Sequence, residues 1–469
     1  MIATAEKTLT AAAINRLVTG VRGQVIHPGE ADYDEARRVW NAMIDKRPAL
    51  IVRCRHVEDV ITAVNFAREQ ALPLAVRGGG HNVAGNATCD DGLVIDLSPL
   101  NAVQVDPEAR VARVEAGATL GDVDRATQQY GLATPTGNVS ETGIAGLTLS
   151  GGLSWLRRQY GMTVDNLLAV EIVTAGGRLL RASATENSDL FWGVRGGGGN
   201  FGVVTRFEFR LHAVGPEVLF LTTMYPVELA QNVLTAWRDW TRSAPEAAST
   251  DCLFWSIPAS PPFPEPLHNR PVVAVAGMYA GPVEVSGPIF QPLRELGEPL
   301  IDLTGPMPYV VVQSMFDPFF GKGARQYWKA LYLDELSDRA IAAIVARATT
   351  RPSPRTLVPV RHLGGAISRV ADTETAVANR SAQYLFSADS SWDNPDDDET
   401  NLTWTRRFWQ EMHRFSAGGV YLNFPGLGEE GQTLVQAGYG PNFERLVALK
   451  TQYDPTNLFR LNQNIRPTV

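Results

Sequence analysis

A histidine follows three consecutive glycines in the segment Gly78-Gly79-Gly80-His81. Glycine reaches positive φ and lets the backbone approach a ligand closely. A turn of this kind therefore presents a histidine ring nitrogen to whatever the turn holds. The same pattern also suits a tight turn with a solvated histidine, so the segment alone leaves both interpretations open.

Three further glycine-rich segments occur at 143–152, 176–177 and 196–202. The last matches the GxGxxG spacing of a dinucleotide-binding fingerprint, but that fingerprint requires a helix after the glycines. A β-branched, strand-like run follows instead, which argues against a Rossmann site. Several separated glycine loops favour a long, phosphate-bearing cofactor contacted by backbone N–H groups, with plain loop turns as the alternative.

The composition is that of a globular protein, and 469 residues predict two or three domains. A net charge of −8, with basic residues spread along the chain, argues against a nucleic-acid partner. Three widely spaced cysteines and seven unpaired histidines predict neither a disulfide framework nor a metal site. The sequence shows no GxSxG elbow of a hydrolase, no signal peptide and no membrane-spanning run. We therefore expect a soluble, cytoplasmic protein without a membrane partner.

In the first half of the chain, the sequence predicts short helices and strands that position the glycine turns. Apolar spacing predicts a helix over 56–70, followed by a buried strand over 74–76 that enters the first turn. Thr119 and Asp122 form a capping-box pattern for another helix. After residue 216, strand-like runs alternate with long amphipathic helices. The pattern predicts an α+β chain whose second domain is one sheet backed by helices.

Several segments, in shared order and spacing, resemble FAD-linked oxidases of the vanillyl-alcohol oxidase superfamily. They are RGGGHN at 77–82, PTG at 135–137, GIAGLTLSGGLSWLRRQYGMTVDNL at 143–167, DLFWGVRGGGGNFGVVT at 189–205, YLNFPG at 421–426 and YGPNFERLVALKTQYDPTNLFRLNQNI at 439–465. The last two resemble the C-terminal berberine-bridge segment, and the chain is most similar to the bacterial branch with 6-hydroxy-nicotine-oxidase-like members.

The resemblance implies a two-part FAD-binding domain of PCMH type with a substrate domain inserted between its parts. We expect the first part at 1–212 and the C-terminal segment that completes it at 419–469. The substrate domain at 213–418 is then expected to hold a large antiparallel sheet backed by helices.

The resemblance also implies FAD as the cofactor, because His81 occupies the position that bonds to the flavin 8α-methyl group in this family. Many members add a second bond from a cysteine, whose position holds Val139 here. We therefore expect a covalent flavoprotein attached through His81 alone. The other expected cofactor-binding residues are Arg77, Gly78, Gly79, Gly80, Asn82, Thr136, Gly137, Thr142, Gly143, Gly146, Gly151, Gly152, Asn200, Val203, Asn462 and Asn464.

The expected catalytic residues are Tyr421 of the family's YxN motif, Asn423 beside it, and Tyr160 as a second candidate base. Free tyrosine has a pKa of about 10, so a neighbouring cation would have to lower it. The candidate cations are Arg157, Arg158 and Arg361. For both tyrosines the alternative is a packed aromatic ring with a satisfied hydroxyl group.

Together these positions predict an FAD-dependent oxidase. It would take a hydride from a CH–OH or CH–NH group of a small or secondary-metabolite substrate to flavin N5, and O2 would reoxidise the flavin with release of H2O2. Thr142 favours oxidase behaviour, because it is nearly isosteric with the valine that admits oxygen at this position in the family. The alternatives are a dehydrogenase with a non-oxygen acceptor, a flavin oxygenase of polyketide metabolism, and a non-catalytic flavin-binding protein.

The sequence leaves the substrate unidentified, and it fits either a monomer or a homodimer. We expect the substrate to bind in the second domain, where aromatic residues form either an apolar pocket or the core. These residues are Phe254, Trp255, Phe319, Phe320, Trp328 and Trp392.

Overall fold

The computed structural model of the chain describes residues 9–416 and 418–468. The first half consists of short elements. Its strands are β1 (Gln24–Ile26), β2 (Leu50–Arg53), β3 (Leu74–Arg77), β4 (Leu93–Asp96), β5 (Val103–Asp106), β6 (Val111–Glu115), β7 (Leu132–Ala133), β8 (Leu167–Thr174), β9 (Leu179–Ser183), β10 (Gly202–Arg210) and β11 (His212–Ala213). Its helices are α1 (Ala11–Gly20), α2 (Tyr33–Ala36), α3 (Val57–Gln70), α4 (Leu120–Gln128), α5 (Ile144–Leu149), α6 (Arg157–Tyr160) and α7 (Ser188–Val194).

The first of three sheets in this half has the strand order β1-β2-β4-β3. β2, β3 and β4 are parallel and almost fully buried, as the continuous apolar runs of parallel strands require. Arg77 and Asp96 are opposite each other at the ends of β3 and β4. The turn that carries His81 therefore leaves the carboxyl end of a parallel strand, the usual ligand-binding edge of such sheets.

The second sheet is antiparallel, with the order β5-β6-β10-β8-β9, and a third pairs β7 with β11. β10 is the central strand, and the glycine-rich loop 196–202 leads directly into it. The predicted capping box starts α4, because Thr119 and Asp122 exchange side-chain and backbone hydrogen bonds. The last residue of α4 is Gln128.

The second half of the chain contains the strands of one large sheet, with helices between them. They are β12 (Glu217–Pro226), β13 (Ala248–Ser256), β14 (Pro271–Tyr279), β15 (Ile301–Asp302), β16 (Gly305–Pro308), β17 (Arg325–Leu333), β18 (Val358–His362) and β19 (Tyr384–Trp392). The helices are α8 (Ala230–Thr241), α9 (Gly287–Arg294), α10 (Tyr309–Ser314), α11 (Asp338–Ala348), α12 (Ala366–Arg369), α13 (Asp398–His413), α14 (Gln432–Tyr439) and α15 (Phe443–Tyr453). Short 3-10 turns lie at Thr163–Asn166, Val227–Leu229, Glu265–Leu267, Val283–Val285, Asp317–Phe319, Pro395–Asp397 and Gly440–Asn442.

The large sheet has the order β15-β12-β14-β13-β18-β19-β17, and β16 also pairs with β12. All of its pairings are antiparallel. α8 packs on β12 and β14, α13 packs on β17 and β19, and α11 lies between the two helices. The predicted large antiparallel sheet backed by helices is confirmed. Within the described residues, no helix is long and apolar enough to cross a bilayer.

Candidate functional site

A large cavity lies between the glycine turns of the first half and the strands β13, β17, β18 and β19 of the large sheet. Its volume is about 350 Å³. Pockets that bind small ligands usually measure roughly 300–1,000 Å³, so the cavity has the size of a ligand-binding site. The expected site residues that line it are Gly78, Gly79, Gly80, His81, Asn82, Gly137, Thr142, Gly143, Gly146, Val203, Tyr421, Asn423 and Asn462, together with Val139.

Two of the glycine segments are in backbone contact on the cavity wall. A Cβ atom on Gly79 would lie 2.3 Å from the Gly143 backbone nitrogen, and one on Gly143 would lie 2.2 Å from the Gly79 nitrogen. Gly80 adopts a φ of +72°, which turns the chain toward His81. Glycine is therefore required at positions 79 and 143, because a side chain there would push the two loops apart.

His81 is held in a neutral state on this wall. Its Nδ1 atom lies 3.4 Å from the Thr142 hydroxyl, and its ring stacks on the indole of Trp40. Burial lowers the pKa of His81 to about 4, and the Lys322 ammonium group adds to the effect. The imidazole thus keeps a free lone pair at neutral pH, as a nucleophile requires.

Tyr421 presents its hydroxyl group near the glycine wall, which is the side of the cavity formed by Gly78–His81, Gly143 and Gly146. The phenolic oxygen accepts hydrogen bonds from the Gly152 backbone N–H at 3.1 Å and from Asn423 Nδ2 at 3.0 Å. Burial raises the pKa of Tyr421, and this effect outweighs the opposing effects of these two donors and of Arg361. Arg361 is one of the three candidate cations, and its lowering effect on this pKa is smaller than the raising effect of burial. Since both hydrogen bonds are accepted, the phenol keeps its own proton for donation.

On the opposite wall, the large sheet carries buried charges, and two of them, Asp251 and Asp389, belong to no sequence motif. Asp251 and Arg361 are directly opposite each other on β13 and β18. Arg361 donates to Asp389 Oδ2 on β19 at 3.1 Å and lies 3.9 Å from Asp251 Oδ2. Arg157 donates to the other oxygen of Asp251. Only the arrangement of three strands brings these residues together.

Asp389 has a carboxylate oxygen available to a ligand. It is 3% exposed, and among the described residues its Oδ1 atom has no hydrogen-bond partner. Burial raises the pKa of Asp389, and Arg361 only partly counteracts this. A carboxylate with a raised pKa on a cavity wall has the properties of a general base.

Aromatic rings surround these charges. Of the six aromatic residues that the sequence offered as pocket candidates, Phe320 and Trp328 line the cavity. The other Phe, Tyr and Trp rings on the wall are Trp40, Trp155, Phe316, Tyr421, Phe424 and Phe459. The buried indole N–H of Trp155 has no acceptor among the described residues, so it is a second polar group available to a ligand.

The comparisons with known proteins agree with this geometry. A family model described as an FAD binding domain matches residues 48–183, and one described as berberine and berberine like matches 420–466. The FAD-linked oxidoreductase YgaK of Bacillus subtilis (strain 168), itself uncharacterised, is 31% identical over 96% of this chain and 98% of its own length. The chain belongs to the berberine-bridge-like FAD-linked oxidoreductases.

The chain is also similar to 6-hydroxynicotine oxidases of this family. The (R)-6-hydroxynicotine oxidase of Paenarthrobacter nicotinovorans is 30% identical over 95% of this chain and 97% of its own. The crystal structure of 6-hydroxy-D-nicotine oxidase from Arthrobacter nicotinovorans superposes with a TM-score of 0.85 at 29% identity, covering 96% of this chain and 98% of that one. The expected α+β fold and the expected FAD-dependent enzyme class are both confirmed.

The residues of the glycine wall fit the FAD of this family. Buried polar atoms without a protein partner in the described part of the chain include His81 Nε2, Asn138 Oδ1 and Asn462 Oδ1, all on wall residues. Buried polar atoms are normally hydrogen-bonded, so their presence here indicates a polar ligand. A Cβ on Gly146 would meet no atom within 4 Å, which shows that this helix presents bare backbone to the cavity.

Seven of the expected site residues lie behind the wall rather than on it, as judged over residues 9–416 and 418–468. They are Arg77, Thr136, Gly151, Gly152, Tyr160, Asn200 and Asn464. Arg77 is buried and donates to Asp96 at 2.9 Å, which ties the ends of β3 and β4 together. The pyrophosphate contact expected of Arg77 stays a prediction.

Tyr160 is likewise placed away from the cavity. Its ring stacks on His212, with 3.9 Å between the ring centroids, and burial raises its pKa. Two of the three candidate cations have other partners: Arg157 binds Asp251, and Arg158 donates toward His362 Nε2 at 2.8 Å. Tyr160 therefore packs as an aromatic ring off the cavity, and its role as a base stays a prediction.

Asn200 joins the C-terminal tail to the glycine-rich loop before β10. It donates to the Gln463 carbonyl at 3.1 Å and accepts from the Ile465 N–H at 3.0 Å. Lys450, fully buried and paired with Asp454, donates to the Asn200 carbonyl at 2.9 Å. These bonds explain how an irregular, polar tail is ordered beside the glycine wall.

Proposed function

We propose that this protein is an FAD-dependent oxidase that takes a hydride from a CH–OH or CH–NH group of a small, largely apolar substrate and passes the electrons to O2, which leaves as H2O2. One observation carries this proposal. A single cavity has a flavin-binding wall of glycines and His81 on one side and a carboxylate, Asp389, among aromatic rings on the other.

Bound FAD would supply the two-electron acceptor, held by the glycine wall and by Asn82, Val203 and Asn462. We propose attachment through His81 alone, because Val139 carries no nucleophile and the three cysteines are buried elsewhere, off the cavity wall of the described chain. The free thiols also support the reducing, cytoplasmic setting expected above. With the proposed boundaries 1–212, 213–418 and 419–469, the glycine turns lie in the first part of the chain and the strands β13, β18 and β19 in the second.

Residues on both walls of the cavity act on the substrate. Asp389 accepts the proton of the substrate O–H or N–H, since its Oδ1 has no other hydrogen-bond partner in the described residues and burial favours its protonated form. Arg361 holds the other carboxylate oxygen and fixes the direction of the first. Tyr421 donates its hydroxyl proton into the cavity and Asn423 orients the phenol, so both are positioned to hold the reacting group.

The apolar walls favour a flat, aromatic or polycyclic substrate with few polar groups. An oligosaccharide would bury many hydroxyl groups, and this wall offers few partners beyond Asp389 and Trp155. A panel of aromatic alcohols, cyclic amines and oligosaccharides, with flavin bleaching without air as the readout, tests the substrate class.

Oxygen uptake with stoichiometric H2O2 then supports the oxidase. Bleaching without oxygen uptake would identify a dehydrogenase, and labelled oxygen in the product would identify an oxygenase. A complete lack of bleaching across the panel would favour a flavin-binding protein without turnover. The attachment has its own test, since flavin fluorescence must stay on the denatured wild-type chain and be lost in His81→Ala.

A further inference from the structure

The His81 ring lies face to face with the indole of Trp40. The ring centroids are 5.1 Å apart and the planes differ by 17°. Trp40 lies between α2 and β2, far from the glycine turn in sequence, and it is 1% exposed. This contact is unexplained by any role assigned above.

The indole itself is fixed from several sides. Its N–H donates to the Phe320 carbonyl, and the Trp40 backbone N–H donates to the Gly80 carbonyl at 3.1 Å. Trp328 packs against it edge-on, with 5.1 Å between centroids. The second of these bonds joins Trp40 to the residue directly before His81, so the indole and the histidine turn are held as one unit.

The imidazole is thereby held in one plane. Trp40 covers one face of the ring, and the Thr142 hydroxyl lies 3.4 Å from its Nδ1 edge. Rotation of the ring about its side-chain bonds would break the stacking and this contact together. A nucleophile that attacks one carbon atom gains much of its rate from such fixed orientation.

We propose that Trp40 is the positioning residue for the covalent attachment of the flavin, and that its indole face stabilises the positive charge that His81 gains as the bond forms. This inference rests on the attachment through His81 proposed above. A cation over an indole face is attracted by the ring quadrupole, most strongly where water is excluded. A neutral imidazole gains no comparable attraction, so the effect acts on the bond-forming step rather than on the resting site.

Attachment forms one N–C bond and breaks one C–H and one N–H bond. The imidazole nitrogen forms a bond to the flavin 8α-carbon, and that carbon loses one hydrogen as a proton. The imidazole then loses its own N–H proton and becomes neutral again. The electron pair of the broken C–H bond passes into the isoalloxazine, which is thereby reduced by two electrons, and dioxygen takes those electrons with two protons to form hydrogen peroxide.

The test measures attachment rather than turnover. Wild type, Trp40→Phe and Trp40→Leu are purified from flavin-limited cultures and incubated with FAD in air. The flavin that stays on the denatured chain is followed over time and compared with the total flavin bound before denaturation. Trp240→Leu serves as a matched control, since it removes an indole on α8 that does not line the cavity among the described residues.

We expect attachment to slow by about two- to thirtyfold in Trp40→Leu, the range that a cation–π contact implies, and by less in Trp40→Phe. Total bound flavin should stay within twofold of wild type in both. Attachment in Trp40→Leu at the wild-type rate would overturn the proposal. It would also be overturned if attachment fell only in proportion to total flavin bound.

If Trp40→Leu does not fold, the comparison of Trp40→Phe with wild type decides, because phenylalanine keeps the packing and weakens the attraction. A wild-type chain that loses all its flavin on denaturation would instead show that the attachment through His81 is wrong. That result is distinct from a normal attachment that ignores Trp40.

Discussion

The two walls of the cavity are constructed in different ways. The glycine wall is made of backbone, and its key contact joins the main chains of Gly79 and Gly143. The opposite wall is made of side chains on a sheet, where Arg361 lies between Asp251 and Asp389. A wall of backbone suits a cofactor that is the same throughout a family. Side chains on a stable sheet can be substituted from one family member to another without a change of fold.

The largest effect is expected from breaking the glycine wall with Gly79→Ala. The added methyl group would lie 2.3 Å from the Gly143 backbone nitrogen, where no flexible side chain can yield. Overpacking of this kind costs roughly 1–3 kcal/mol and displaces the loops. We expect a lower melting temperature and loss of most bound FAD, measured by thermal unfolding and by flavin absorbance of the purified protein.

Gly146→Ala is the control for this prediction. Its Cβ would meet no protein atom within 4 Å, and it lies inside the helix α5, where alanine is preferred over glycine by roughly 0.5–1 kcal/mol. Its melting temperature without flavin should be unchanged or higher, while FAD binding weakens because the methyl group projects into the cavity. Equal melting temperatures for both variants would contradict the idea that the two loops need bare backbone contact.

Asp389→Asn tests the opposite wall and should leave flavin binding intact. The amide keeps the shape of the side chain but cannot accept a proton, and general-base catalysis is worth about 10²–10⁴ in rate. We expect kcat to fall by at least about a hundredfold at unchanged flavin content, measured by flavin reduction in rapid mixing. Ser387→Ala removes another Arg361 partner on the same strand and should cost far less.

The pH dependence follows from the same carboxyl group. Because burial raises the pKa of Asp389, its proton-accepting form is lost at a higher pH than for an ordinary aspartate. The rate of flavin reduction should therefore fall on the acid side, and this limb should disappear in Asp389→Asn. Persistence of the limb in the variant would assign it to another group.

The difference between the walls also explains what the sequence could predict. The Gly79–Gly143 contact needs particular residue types at fixed local positions, so both segments are recognisable from the sequence alone. The charged cluster joins positions 251, 361 and 389 through the registers of β13, β18 and β19. Strand register depends on the whole sheet, and each of these residues taken alone is an ordinary charged residue.

Tyr421 and Tyr160 illustrate a second limit. Sequence motifs identify their positions, but the acidity of a phenol depends on its burial and on the charges around it. The structure gives both hydroxyl groups a raised pKa and places only Tyr421 on the cavity. The base is therefore the part of the site that motifs alone could not assign.

Buried hydrogen bonds from Gln313 join the two halves of the chain, and Asp124→Asn tests their contribution. Gln313 on α10 donates to Asp124 at 3.1 Å, to Thr136 at 2.8 Å and to the Gly137 carbonyl at 2.9 Å. Burial raises the pKa of Asp124 to about 7, although the hydrogen bonds from Gln313 and Thr136 oppose this. In the unfolded chain the group titrates near pH 4.

The sign of the effect follows from these two values. Between about pH 4 and pH 7 the native state holds a proton that the unfolded chain releases, so stability falls as the pH rises through this range. At about 1.4 kcal/mol per unit of pKa difference, the loss is of the order of a few kcal/mol. Asp124→Asn should lack this loss, so urea unfolding at pH 5 and pH 8 should show the variant gaining on wild type at pH 8. Glu108→Gln, an exposed carboxyl change, should give no such gain.

The smallest effect is expected at Thr142, which touches the glycine wall and the proposed path of oxygen. Thr142→Val removes the hydroxyl 3.4 Å from His81 Nδ1 and keeps the volume of the side chain. If volume controls oxygen access, reoxidation of the reduced flavin in air should change by less than about threefold, the effect of roughly 0.6 kcal/mol. Thr142→Leu should slow it much more, measured by flavin absorbance in stopped flow. Slow reoxidation in wild type that neither substitution alters would contradict a gate at this position. A large change in the valine variant alone would show instead that the hydroxyl contact with His81 governs the reaction with oxygen.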